Sequence, residues 1–243
     1  MSSHINLNNL NEAGIRSDYE TGGKRKQDDN SRTGGAVSVY FKNLVDHLVA
    51  HTQSADVVVG CVAWLTNPTI LKALARKQGV SIIVQKEDFL RPDADHGKDS
   101  NDRLRKLYAA LPTMVRDDFE KLRNMSTCVD PDIDAVRCMG VRPIGGRRIS
   151  PKMHHKFVVF CRIDSSPPKT YEEIDAFVSV PYAVWTGSFN FTKNGSLSLE
   201  NAVYIEEPEI ARAYYDEWAQ VAALSESLDW DSEYVDPEWR IGS

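Results

Sequence analysis

The pattern of apolar and polar residues divides the chain into a polar start, a patterned middle and an acidic end. Residues 1–35 are rich in Asn, Gly, Asp and Lys and show no apolar period, which predicts a flexible N-terminal arm. From residue 36 to residue 51, most apolar positions have the spacing of an amphipathic helix. We expect residues 36–224 to form one domain and residues 225–243 an acidic C-terminal tail.

A strand, a helix and a second strand are predicted at the start of this domain. Residues 56–64 are an apolar run rich in β-branched side chains, which is typical of a buried strand. Asn67 and Pro68 are residues that begin helices, and Gly79 ends this one before the apolar run at 80–84. This order indicates a parallel unit, so we expect an α/β fold with a mixed, mainly parallel central sheet flanked by helices.

The second half of the domain carries further strands after a charged interruption. Residues 86 to about 134 are mixed in character and predict an excursion from the sheet that includes a helix. Apolar runs and a final amphipathic segment then predict strands at 135–142, 154–161, 182–186 and 201–205 and a helix at 208–224.

Charge is unevenly distributed along the 243 residues. The net charge of −6 argues weakly against a nucleic-acid partner, but residues 142–156 contain five basic residues and no acidic one. Residues 206–243 contain eleven acidic residues and only two basic ones. A local basic surface suits a protein that binds phosphate, although two solvated surfaces of opposite sign would give the same pattern.

Several protein classes are disfavoured by composition. No run of 18 apolar residues predicts a membrane span, and the N-terminus lacks the pattern of a secretory signal. The four cysteines are widely spaced, which favours reduced thiols in a cytoplasmic protein over a metal site or disulfide framework. We expect no cofactor, no metal and no membrane anchor.

His154 and Lys156 are the first candidate catalytic residues. They precede an apolar strand, and alternate side chains of a strand share a face, so the two should point together while His155 points away. Lys156 could bind a nonbridging phosphate oxygen and favour the neutral, nucleophilic imidazole at His154. A surface histidine pair beside a core strand would give the same pattern.

Two later segments add polar groups at strand ends. After the strand that ends near residue 186, Gly187 permits a tight turn, and Ser188 and Asn190 are neutral donors for an oxyanion. Glu200 stands at the head of the next strand and could orient the histidine ring. A polar turn and an acidic strand end are also common without any catalytic role.

Together the strings Met153-His-His-Lys-Phe157, Gly187-Ser-Phe-Asn-Phe-Thr192 and Glu200-Asn201 resemble the phospholipase D-like (HKD) superfamily. The resemblance is to members with one motif per chain, namely bacterial endonucleases of this type and the mitochondrial cardiolipin hydrolase/Zucchini group. It implies a metal-independent reaction in which one histidine forms a phosphohistidine and a second histidine protonates the leaving group. The catalytic residues would be His154, Lys156, Ser188, Asn190 and Glu200.

The resemblance also raises two difficulties. The family motif ends in Asp, but that position holds Cys161, and Asp164 lies three residues later. Only His154 of the six histidines has the motif around it, because His96-Gly-Lys98 lacks the strand and the Gly-Ser-x-Asn partner. An enzyme of this type therefore requires a homodimer that brings two copies of His154 together.

A nuclease acting on DNA or RNA is the favoured function. The basic segment leads directly into His154, and we assign Arg147, Arg148, Lys152 and Lys193 to substrate binding. A phospholipid phosphodiesterase is the first alternative, although no interfacial helix is evident. An inactive scaffold that keeps the fold to bind partners is the second, and Cys161 is its main support.

Overall fold

The computed structural model describes residues 29–86, 98–116, 122, 130–145, 147–149, 152–164, 178–228 and 234–238. Strands account for much of this part of the chain. In sequence order they are β1 (Arg32–Gly34), β2 (Val37–Tyr40), β3 (Val57–Val62), β4 (Gly79–Gln85), β5 (Met114–Val115), β6 (Asp132–Ile133), β7 (Val136–Met139), β8 (Arg142–Ile144), β9 (Arg147–Ile149), β10 (Lys156–Asp164), β11 (Val178–Gly187), β12 (Ala202–Ile205) and β13 (Glu226–Ser227).

The described helices are fewer. They are α1 (Leu44–Gln53), α2 (Pro68–Leu74), α3 (Lys98–Ala109) and α4 (Pro208–Ala223), with a short 3-10 turn at Gly195–Leu197. The predicted first parallel unit is β3, α2 and β4, and the Asn67 side chain accepts the amides of Thr69 and Ile70 at the start of α2. Within the described ranges, no helix has the length and apolar character needed to cross a membrane.

Nine strands form one sheet in the order β1-β2-β12-β11-β10-β3-β4-β7-β13. The predicted class, a large mixed sheet flanked by helices, is confirmed. The predicted dominance of parallel strands is wrong: only β3–β4 and β4–β7 are parallel, and the other neighbouring strands are antiparallel. Strand β10 enters the sheet against the direction of β3, and β11, β12 and β2 then add antiparallel neighbours on that side.

Alternate residues of the central strands face two separate apolar layers. Val58, Val158 and Phe160 belong to the layer that contains residues of α1, α2 and α3. Val159 and Cys161 belong to the layer that contains residues of α4. Because both sheet faces are covered, the strands are apolar at nearly every position, as a continuous apolar run predicts.

The N-terminal part of the domain differs from the sequence prediction. Residues 36–51 were expected to form one helix, but Val37–Tyr40 is strand β2 and the helix begins only at Leu44. Val39 pairs with Val203 in β12, and Asn43 has a left-handed backbone (φ 51°) that separates strand from helix. Arg32–Gly34, assigned to the flexible arm, pairs with β2, while residues 1–28 lie outside the described residues.

The excursion at residues 86–134 contains the expected helix. Leu104, Tyr108 and Leu111 are buried against the core, and the Tyr108 hydroxyl donates to the Leu65 carbonyl at 2.6 Å. Strands β5 and β6 pair in antiparallel orientation in the same segment. Residues 87–97, 117–121 and 123–129 lie outside the described residues.

Part of the acidic tail belongs to the folded domain. Strand β13 pairs with β7, and Glu238 accepts hydrogen bonds from Arg116 and Arg137, each at 2.6 Å. Arg137 is fully buried, so its guanidinium needs the carboxylate of Glu238 for compensation. The predicted boundary at residue 225 therefore does not separate the tail from the sheet.

Candidate active site

Strand directions bring the predicted motifs to one edge of the sheet. The start of β10 lies beside the end of β3, because Lys156 pairs with Val62. The end of β11 lies beside the start of β10, because Thr186 pairs with Phe157, and Gly187 pairs with Ala202 at the start of β12. The antiparallel arrangement thus places the segments around His154, Ser188 and Glu200 at the same edge.

His154 and Lys156 lie in direct contact at this edge. The Lys156 ammonium is 3.2 Å from each imidazole nitrogen of His154 and 3.1 Å from its carbonyl oxygen. An ammonium has no acceptor, so a ring nitrogen that bonds to it must be unprotonated. Burial lowers the pKa of Lys156, and the Glu200 carboxylate opposes that shift, which places Glu200 within electrostatic range.

The neighbouring His155 points to the other side of the sheet, as predicted. Its Nε2 atom lies 3.6 Å from the Glu217 carboxylate of α4, and its ring meets Phe157 edge-on. His154 instead lies edge-on to Trp64, with ring centroids 6.0 Å apart. The two adjacent histidines therefore have different surroundings, and only His154 shares a side with Lys156.

Glu200 has a different partner from the one predicted. It was expected to orient His154, but its carboxylate accepts a 2.5 Å hydrogen bond from the Ser188 hydroxyl. The Ser188 oxygen in turn accepts the Asn201 amide at 3.1 Å. Because the only hydroxyl proton of Ser188 is given to Glu200, this hydroxyl has no proton left to donate to an oxyanion in this arrangement.

Gly187 makes the turn into this segment possible. Its φ of +148° disfavours other residues, and a Cβ there would lie 2.4 Å from the Asn201 carbonyl oxygen. The Ser188 amide donates to that same carbonyl at 3.1 Å. A larger residue would push β11 and β12 apart and separate Ser188 from Glu200.

A cleft of about 480 Å³ is lined by Trp64, which contacts His154, and by Glu200, which contacts Ser188, whereas His154, Lys156 and Ser188 do not line it. Its walls include Trp64, Thr66, Asn190, Lys193 and Glu200. The Oδ1 atom of Asn190 is buried and has no hydrogen-bond partner within the part of the chain that the structure describes. A buried amide oxygen without a hydrogen-bond donor destabilises the fold, so a bound group that donates a hydrogen bond to this oxygen would be stabilised here.

Three of the four cations predicted to bind substrate have exposed side chains. Lys193 is exposed and lines the cleft. Arg147 and Lys152 are exposed, Arg147 in the hairpin of β8 and β9 and Lys152 just before the motif. The side chain of Arg148 lies outside the described residues.

Trp64 and Thr66 were not singled out from the sequence. Both follow β3 directly, and the amides of Thr66 and Asn67 donate to the Phe191 carbonyl at 2.9 and 2.8 Å. These bonds tie the loop after β3 to the Asn190 segment. Their position after a buried strand at the motif edge was a usable signal, since ligands bind beyond the carboxyl ends of such strands.

Cys161, which occupies the motif position of Asp, lies away from the cleft. It is fully buried in the layer against α4, and burial raises the pKa of its thiol. Asp164 is exposed at the end of β10. Across the described ranges, no three His, Cys, Asp or Glu side chains are grouped so that they could hold a metal ion.

Comparison with known proteins places the chain in a family. It is 33% identical over 233 residues to the uncharacterized protein L381 of Acanthamoeba polyphaga mimivirus, covering 94% of this chain and 75% of that protein. The chain therefore belongs to the same family as protein L381. No protein-family model matches the chain.

Two solved structures of bacterial proteins are similar in fold. One is Nuc from Salmonella typhimurium, described as a phospholipase D family member, with 18% identity, a TM-score of 0.43 and coverage of 76% of this chain and 91% of Nuc. The other is NucT from Helicobacter pylori, with 13% identity, a TM-score of 0.46 and coverage of 79% and 98%.

Proposed function

We propose that this protein is a phosphodiesterase of the phospholipase D type, and specifically a metal-independent endonuclease acting on DNA or RNA. The contact between His154 and Lys156 at the open sheet edge is the observation that carries this proposal. It pairs a nucleophile with a cation at the distance at which both can meet one phosphate group. The resemblance of the three motifs to the HKD superfamily supports the same reaction.

In the proposed reaction, a ring nitrogen of His154 attacks phosphorus and forms a phosphohistidine. The bond between phosphorus and the leaving oxygen breaks, and a second histidine gives that oxygen a proton. Water, deprotonated by the second histidine, then attacks phosphorus and releases His154. Lys156 and Asn190 stabilise the charge on the nonbridging oxygens, and Ser188 holds Glu200 near Lys156.

The second histidine must come from outside the described part of this chain or from another copy. His155 faces α4, and His47 and His51 lie beside Tyr40, away from the cleft. His4 and His96 lie outside the described residues. We propose that His154 of a second copy supplies this group at a site shared across a homodimer.

Nucleic acid is the proposed substrate because one exposed cation lines the cleft and two others precede the motif along the chain. Lys193 lines the cleft, and Lys152 and Arg147 precede the motif on the chain. The cytoplasm is the proposed compartment, which the free buried thiols of Cys61, Cys138 and Cys161 support.

The test is cleavage of DNA and RNA by purified protein in the presence of EDTA. We expect His154→Ala to abolish cleavage and a ³²P label to be trapped on histidine in the parent protein. His155→Ala is the matched control, because it removes an adjacent exposed imidazole on the other side of the sheet. Cleavage that persists in His154→Ala would overturn the assignment, and dependence on added metal would overturn the mechanism.

The shared site is tested separately with mixed dimers. Two differently tagged copies, one carrying His154→Ala, are co-purified as a heterodimer. Because each reaction needs both histidines, the heterodimer should be inactive, whereas independent sites would retain about half of the activity. Turnover of phospholipid without nucleic-acid cleavage would identify a lipid phosphodiesterase, and a stable dimer inactive on both would identify a scaffold.

A further inference from the structure

A second concave surface lies between helices α1 and α2, with a volume of about 540 Å³. One wall is formed by Thr69 and Lys72 of helix α2 and by Arg76, which lies two residues beyond the end of this helix. The other wall is formed by Val49 and Gln53 of α1. We call this surface the α1–α2 groove.

The groove is lined by three cations and by no carboxylate. Lys77 is anchored, because its ammonium donates to the carbonyl oxygens of Gln53 and Ala55 at 3.2 and 2.8 Å. Lys72 and Arg76 are exposed, and neither has an ion-pair partner among the residues that the structure describes. Two unpaired cations side by side in a chain of net charge −6 create a local attraction for anions.

Helix α2 contributes to the groove and follows a residue of the active-site cleft closely along the chain. Thr66 lines the cleft, and α2 begins two residues later at Pro68. With a rise of about 1.5 Å per residue, the distance along the helix axis from Pro68 to Lys72 is about 6 Å. Lys72 and Arg76 therefore follow the cleft along the chain as two cations four residues apart, and two such cations fit an extended polyanion better than one small ion.

Membrane headgroups fit this surface less well. The apolar residues that line the groove are Val49, which is half-buried, and Ala73, which is buried. A membrane-binding surface also projects apolar side chains into the lipid. The groove has charge without such side chains, as expected for contact with a nucleic-acid backbone.

We propose that the α1–α2 groove binds the sugar–phosphate backbone of the nucleic-acid substrate outside the cleft, through Lys72 and Arg76. This inference rests on the proposed nuclease function. The contacts carry no base information, so they increase affinity for long substrates regardless of sequence. They also make binding depend on salt, because each neutralised phosphate releases counterions.

The test uses the full chain with the double substitution Lys72→Gln/Arg76→Gln. Two substrates are compared: an oligonucleotide longer than about 16 nucleotides, which extends beyond the cleft, and bis(p-nitrophenyl) phosphate, which does not. We expect the ratio of kcat/KM for the oligonucleotide to kcat/KM for the small diester to fall about tenfold. The salt dependence of duplex binding should weaken by about 1.8 in log–log slope if both cations contact phosphates.

The matched control is Arg32→Gln/Arg212→Gln, which removes the same charge from strand β1 and helix α4. An unchanged ratio in this control, together with the fall in the groove variant, supports the proposal. An unchanged ratio in the groove variant, or an equal fall in both variants, overturns the groove and leaves the nuclease assignment intact. Absence of any His154-dependent cleavage by the parent protein overturns both.

Discussion

The two halves of strand β10 meet different surroundings although they belong to one sequence motif. At its start, Lys156 is partly exposed and contacts His154 beside an open cleft. Five residues later, Cys161 is fully buried between the sheet and α4. The candidate catalytic residues therefore lie at the start of the strand, and the residues of its second half pack in the core.

This difference bears on Cys161, which stands where the HKD motif that the sequence resembles has Asp. A residue that no solvent reaches cannot contact a substrate in the cleft, so its replacement acts on the fold before it acts on the reaction. Substitutions at the open end should therefore change activity at constant stability. Substitutions at the buried end should change stability, and the following predictions test this separation from the largest expected effect to the smallest.

Lys156→Gln should lower kcat/KM for phosphodiester cleavage by about 10²–10³-fold, because a preorganised charge at the phosphate is lost. The free energy of unfolding should change by less than about 0.5 kcal/mol, since the side chain is partly exposed. Steady-state kinetics and urea denaturation of the same preparation measure both quantities. A large loss of stability with little loss of activity would contradict the proposal that the start of β10 serves activity rather than stability.

Cys161→Asp, which introduces the residue of the HKD motif that the sequence resembles, should lower the free energy of unfolding by about 3 kcal/mol. The carboxylate would lie in an apolar layer beside Val57 and Val159. Cys161→Ala is the matched control and should cost about 1 kcal/mol, since it removes one buried sulfur. Urea denaturation at neutral pH measures both, and a variant as stable as the parent would show that this position accepts the motif Asp.

Ser188→Ala should lower kcat/KM about tenfold, which corresponds to about 1.4 kcal/mol, by freeing Glu200 from its hydrogen bond. Ser188→Thr keeps the hydroxyl and should recover part of the activity. If Ser188 instead donated to the substrate, KM would rise without a fall in kcat. The separation of kcat from KM therefore distinguishes a positioning role from a binding role.

His51 packs beside the buried half of β10, because its ring centroid lies 6.4 Å from the ring centroid of Phe160. Burial, aided by the nearby charge of His47, lowers the pKa of His51 from 6.5 to about 4. The unfolded chain therefore takes up the proton first, so stability falls as the pH drops from about 6.5 to about 4 and then levels off.

The expected loss is about 1 kcal/mol at pH 5, reduced from the full linkage value because the ring is only half-buried. His51→Phe should remove this part of the pH dependence. Urea denaturation at pH 7.5 and pH 5 of both proteins measures it. Identical pH profiles would show that His51 titrates alike in the folded and unfolded chains.

Local patterns predicted those parts of the fold that depend on neighbouring residues in the chain. The apolar runs of β3, β4 and β10 and the caps of α2 were predictable because burial and capping are properties of short segments. Residues 36–51 were misassigned because Val39 gains its strand partner, Val203, from the far end of the chain. The number of parallel strand pairs was overestimated for the same reason, since the direction of a strand depends on pairing with residues far away in the sequence.

The sequence by itself determined the side-chain chemistry: the imidazole and ammonium at His154 and Lys156, their common side, and the opposite side of His155. Only the tertiary structure decided which groups meet. In the folded chain Glu200 accepts a hydrogen bond from Ser188, and Trp64 contacts His154. Glu238 of the acidic tail accepts hydrogen bonds from two buried guanidinium groups. Alternation along a strand is a local property, whereas contacts between residues far apart in sequence form only when the whole sheet is assembled.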